Sequence, residues 1–151
     1  MKSLTTLKNG NLLMAGYREY SFLLQEADLG VLICMKPEGC VQWARMIPTE
    51  FPWGTRIVSA KEAADGGLFL LAASGSEYTR FVIKLDAAGN FLWSKGIKDG
   101  TGLDRNFRNI EPTPDGGCLL PNYSIYDYSI NLLRLDASGQ LVWQHYIDMD
   151  G

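Results

Sequence analysis

No apolar run in the 151 residues approaches the ~20 that a membrane-spanning helix needs. The opening segment, Met1 to Gly10, lacks the continuous apolar core of a secretory signal. The expectation is a chain without a membrane span. Charge of one sign is lacking too: 14 Lys and Arg are scattered among 17 Asp and Glu, for a net charge of -3. That gives no electrostatic footprint for nucleic acid or an anionic membrane. One histidine and three cysteines without a C-x-x-C pair give no zinc-ligand spacing, and no catalytic, metal or cofactor residue is assigned. His145 is the single candidate base for a Ser-His-Asp or Cys-His arrangement, but it stands two residues after Trp143, where Arg45 and Lys95 stand after the other tryptophans, and reads as a strand-surface residue. The Asp- and Gly-containing stretches 99–104 and 148–151 lack the distant Glu of a calcium loop and read as turns. Cys34, Cys40 and Cys118 are odd in number and sit beside hydrophobics, as small buried thiols do. No segment carries a helical period and none is of low complexity.

What is present is a repeat. Lys84-Leu85-Asp86-Ala87-Ala88-Gly89-Asn90-Phe91-Leu92-Trp93 recurs as Arg134-Leu135-Asp136-Ala137-Ser138-Gly139-Gln140-Leu141-Val142-Trp143, and more weakly at 34–43. Gly39, Gly89 and Gly139 are fifty apart, as are Trp43, Trp93 and Trp143. A fixed period of this size signals a repeat architecture. Each unit has an Asn-Gly or Asp-Gly turn (9–10, 65–66, 115–116) and then an apolar run. A polar, aromatic-rich connection, a second apolar strand, a second turn and a last strand carrying the Trp follow. Asn-Gly and Asp-Gly between strand-like runs predict two-residue type I′ hairpins. Four strands per unit result, in blades of approximately 1–50, 51–100 and 101–151. The first unit holds a six-residue insertion around 19–26, and its Lys36-Pro37 in place of Asp-Ala predicts a different turn there, because Pro fixes φ and lacks a donor.

The phrase Leu-Asp-Ala-x-Gly-x-x-x-Trp, at 85–93 and 135–143, resembles the tryptophan-docking repeat of quinoprotein-like β-propellers. With the preceding Asp-Gly-Gly it is similar also to the bacterial delta-60-type propeller repeat. The resemblance covers all three units and implies an all-β chain of three four-stranded propeller blades, with each Trp packed on the adjacent repeat. Lys84 with Asp86, and Arg134 with Asp136, share a strand face and are expected to form local ion pairs.

Three blades are fewer than the roughly 4 to 8 of a closed propeller. A second copy joining head to tail would complete six, or further blades of a longer chain would close the ring. The leading functional expectation is a non-enzymatic binding or scaffold module, assembling through blade-to-blade contacts, with a protein or glycan ligand. A lectin-like ring binding carbohydrate or a small ligand, and a segment of a quinoprotein-like enzyme, are the alternatives. Candidate binding residues are Tyr20, Tyr78, Tyr123 and Tyr126, which with Tyr17, Phe22 and Tyr128 are expected in the equivalent connections between second and third strands, and Trp53 between Pro52 and Gly54. The odd thiol count and the missing signal point to the cytoplasm; the resemblance, or a signal already removed, points to the envelope or exterior.

Overall fold

A computed structural model describes residues 1–18, 28–47, 54–74, 80–97, 107–123 and 129–149. These form twelve strands and no helix. Sheet I contains β1 (Ser3–Thr6), β2 (Leu12–Arg18), β3 (Leu29–Met35) and β4 (Val41–Ile47). Sheet II contains β5 (Thr55–Glu62), β6 (Leu68–Ser74), β7 (Arg80–Leu85) and β8 (Phe91–Ile97). Sheet III contains β9 (Glu111–Pro112), β10 (Cys118–Tyr123), β11 (Ser129–Leu135) and β12 (Leu141–Asp148). Each is a four-stranded antiparallel meander in chain order, so the fourfold division of each unit is observed.

All six tight turns share one geometry. Residue i donates its N–H to the carbonyl of i+4 and accepts from the N–H of i+3, as in Leu7 to Asn11 and Asp136 to Gln140. The i+3 residue is a glycine at positive φ each time, from 79° at Gly66 to 93° at Gly39. These are three-residue loops, a type I turn closed by a left-handed glycine bulge, and not the type I′ turns that the dipeptides suggest. The residue before each glycine therefore needs no positive φ. Proline is at home in the second position of a type I turn, so Lys36-Pro37 folds as its counterparts do.

Burial separates the middle sheet from its neighbours. Strand β6 is buried at every position, whereas β3 and β11 alternate between buried and half-buried. The reason is a core on each side of sheet II. One joins Leu13, Leu32 and Cys34 of sheet I to Leu68, Leu70 and Leu85 of sheet II. The other joins Phe69, Leu71 and Val82 of sheet II to Cys118, Leu120 and Leu133 of sheet III. Successive residues of β6 thus point into different cores, which explains a continuous apolar strand in an antiparallel sheet. A fully buried Leu or Phe contributes about 1.5–3 kcal/mol, so these two layers dominate the stability of the stack.

Polar contacts reinforce both layers. Between sheets I and II, Thr5 Oγ1 donates to the Ala60 carbonyl at 2.8 Å, and the Lys8 ammonium donates to those of Ala63 and Ala64 at 2.8 and 3.0 Å. Between sheets II and III, Ser59 Oγ lies 3.2 Å from Asn109 Oδ1 and Lys61 pairs with Glu111 at 3.4 Å. The last strands, β4, β8 and β12, are exposed along most of their length.

Candidate functional site

Trp43 and Trp93 lie on the face of their sheet that looks toward the next one in the chain. Trp43 packs on the core between sheets I and II, and Trp93 on the core between sheets II and III. Trp93 reaches furthest: its Nε1–H donates to the Ala137 carbonyl at 3.1 Å, in the second turn of sheet III. Its ring covers Gly139, where an added Cβ would sit 2.9 Å from a ring carbon. Between sheets I and II the equivalent glycine, Gly89, lies under Arg45, whose guanidinium in turn lies over the Trp43 ring at 5.7 Å. The turn glycine therefore receives the preceding sheet, because a side chain there would hold the ring or guanidinium off.

Asp86 and Asp136 do not pair with the neighbouring cations. Asp86 accepts from the Asn90 backbone N–H and side-chain amide at 2.7 and 2.9 Å; Asp136 accepts from the N–H groups of Ser138 and Gln140 at 2.8 and 2.9 Å. Both cap their own turn; the Asn90 hydrogen bonds hold the Asp86 carboxyl, and the Ser138 hydroxyl with the Gln140 N–H hold that of Asp136, below the usual carboxylate range. The cations go elsewhere. Lys84, buried, reaches the Asp65 carboxylate at 2.8 Å and lies 4.5 Å over the Phe69 ring. Arg134 pairs with Asp115 and also donates to the Leu135 carbonyl.

This pairing explains the Asp-Gly-Gly sequence. A Cβ at Gly67 would collide with the Leu85 carbonyl and meet Lys84 Nζ at 2.8 Å, and one at Gly117 would collide with Arg134 Nη1 and the Leu135 carbonyl. The second glycine leaves room both for the cation on its way to the carboxylate and for the facing backbone carbonyl. In sheet I the cation's place is taken by Cys34 and the second glycine's by Asn11, whose side chain hydrogen-bonds the thiol. The signal was in the sequence: Asp and cation stand nineteen apart in both units where the second glycine is present.

Burial pushes the Cys34 thiol up, and the Cys118 thiol up to about 12. Cys40 departs from the expectation of three buried thiols: it closes the turn at 36–40 and is exposed. His145 is a surface residue of β12, its ring 4.8 Å from that of Trp143. Among the described residues, no three His, Cys, Asp or Glu side chains are grouped to hold a metal ion, and no helix is long and apolar enough to cross a membrane.

Of the binding candidates, Tyr20, Tyr78, Tyr126 and Trp53 lie outside the described residues, with Phe22, Tyr128 and the insertion at 19–26. Tyr123 ends β10, 49% exposed, and pairs in register with Ile130. Tyr17 belongs to β2 and not to the connection after it; Lys2 and Arg56 stand over its ring at 5.7 and 5.1 Å. It borders a cavity of about 410 Å³, which Lys2, Arg56, Ser74, Arg80 and Arg108 also line. The cavity lies at the end of the sheets opposite the tight turns. Asp28 takes the Arg56 guanidinium, and Arg80 donates to the Phe107 carbonyl at 3.1 Å. Burial, with the charge of Arg108 beside it, lowers the Arg80 pKa. This convergence from distant positions has no local sequence signal. No protein-family model matches the chain, and no curated protein matches its sequence.

The carboxyl pKa values set an acid response. Hydrogen bonding from Lys84 lowers Asp65 below its ordinary 3.8, and hydrogen bonds from Thr113 and the charge of Arg134 lower Asp115. A depressed folded-state pKa contributes stability that is complete above the unfolded value and lost as pH falls through the folded one. Urea midpoints should therefore fall as pH drops below about 4. The fall should be shallower in Asp65→Asn, which is already less stable at pH 7; identical pH profiles would exclude the pairing.

Proposed function

We propose that the chain is a non-enzymatic β-propeller module of three blades, in which sheets I, II and III are the blades, that assembles by blade-to-blade contact and presents its loop-bearing end for binding. The observation that carries this reading is Trp93 on Gly139, because the repeated motif is consumed in joining one sheet to the next. Its acid caps a turn, its cation pairs with the acid of the preceding hairpin, and its indole docks. A four-stranded antiparallel meander with its inner strands the more buried and its last strand exposed is also the build of a propeller blade. Repeat modules of this kind are sums of units and nearest-neighbour contacts, with binding surfaces made by the loops at one end.

The enzyme alternative is tested by adding a quinone cofactor with calcium to the purified chain. The expected result is an unchanged quinone spectrum and no substrate-dependent dye reduction. A perturbed spectrum together with turnover would contradict the module reading.

A second reading, binding of a small anionic ligand such as an acidic sugar, is favoured by the cavity beside Tyr17. Four cationic side chains from four separate segments line it in a chain whose net charge is negative. Millimolar glucuronate should raise the thermal midpoint above that in matched sodium chloride, and the rise should vanish in Arg108→Ala. No rise, or an equal rise in the variant, disposes of this reading.

A further inference from the structure

The two internal layers are built from one pair of complementary faces, and each face is left open once more at an end of the stack. The face of sheet II that meets sheet III carries Phe69, Lys84 and Trp93 at paired positions across its strands. The corresponding positions of sheet III are Leu119, Arg134 and Trp143, all half-buried with no sheet against them among the described residues. The face of sheet II that meets sheet I carries Leu68, Leu70, Ile83 and Leu85. Its counterpart on sheet I is Leu12, Met14, Ile33 and Met35, apolar throughout and also half-buried. Leu4 and Met46, 65% and 66% exposed, extend this surface, and Ile147 extends that of sheet III.

The turn glycines make the same point more sharply. Gly139 is buried beneath Trp93, and Gly89 is half-buried beneath Arg45. Gly39 is exposed, has φ of 93°, and has nothing within 4 Å of the position its Cβ would take. A turn of the same geometry is thus ready to receive a preceding sheet, while Trp143 has no sheet packed on it among the described residues.

We propose, building on the blade reading above, that the open face of sheet III docks on the open face of sheet I in a second copy of the chain. Trp143 lies on Gly39 of that copy and its Nε1–H donates to the Pro37 carbonyl, the equivalent of Ala137. Two such contacts close a head-to-tail dimer of six sheets. The occupant is a second copy because the two faces repeat, position by position, the faces that already fit each other twice within one chain. A heterologous contact of this kind removes both apolar faces from water only when it closes on itself.

Light scattering over a tenfold concentration range tests this directly. The wild type should weigh about twice 16.8 kDa. Trp143→Ala and Gly39→Ala should each weigh 16.8 kDa with an unchanged far-ultraviolet spectrum. Gly10→Ala, at a turn glycine with φ of 84° and equally open surroundings, controls for backbone cost and should remain dimeric. Should Gly39→Ala fail to fold, Leu132→Glu on the open face of sheet III reads the same contact. A monomeric wild type, a mass that grows with concentration beyond two copies, or a dimer that survives both Trp143→Ala and the second variant would overturn the proposal. A monomer that shows no quinone turnover would sink the second copy alone, since the blade reading rests on Trp93 within one chain.

Discussion

A flat side chain laid on a turn that has no side chain of its own, the Trp93 indole at one junction and the Arg45 guanidinium at the other, is the contact that sets how one sheet sits on the next. A β-sheet with one apolar face must bury it, and a sheet with two must be buried twice. Sheet II meets this constraint with different residues of the same strands on its two sides. Apolar area supplies most of the free energy in both layers, but area alone does not fix how one sheet sits on the next. The Trp93 hydrogen bond to Ala137 and the fit of its ring on Gly139 supply a directional element, because both fail if the sheets slide by the length of one residue.

The buried lysine shows how a charge enters such a layer. Burying an ammonium group costs several kcal/mol unless it is paired and hydrogen-bonded. Lys84 keeps its aliphatic stem in the core and its head on Asp65, which is more than half exposed, so the charge is neutralised at the edge of the layer and not in its middle. The same solution recurs at Arg134 and Asp115, again at the mouth of the first hairpin. Sheet I omits the ion pair and replaces it with a neutral thiol and an amide, which shows that the layer tolerates a pair without requiring one.

Much of the fold was legible because period, turn glycines and apolar runs are local signals. Strand boundaries around Phe81–Leu85 and Phe91–Ile97 follow directly from them. The turn type was not legible from Asp65-Gly66 or Asn9-Gly10, since a dipeptide cannot distinguish a two-residue loop from the three-residue loop with a glycine bulge. The partners of Lys84 and Arg134 were misplaced because the nearer acid, two residues along the strand, is drawn into its own turn by two N–H or amide donors. The partner acid stands nineteen residues back, in the turn that leads into the strand paired with Lys84. Cys40 resembles its buried fellows in its neighbours but closes a turn. The cationic cavity beside Tyr17 could not be read at all, because its lining comes from chain positions as distant as Lys2 and Arg108 and exists only once the sheets are stacked.

The central claim, that this indole-on-glycine contact joins one sheet to the next, is tested most directly by a double-mutant cycle on Trp93→Ala and Gly139→Ala, read from urea unfolding. A methyl at Gly139 is strained by its φ of 80° and also collides with the ring, so part of its cost should disappear when the ring is absent. The account predicts that the double variant is less destabilised than the sum of the singles by roughly 0.5–3 kcal/mol. Strict additivity would contradict it.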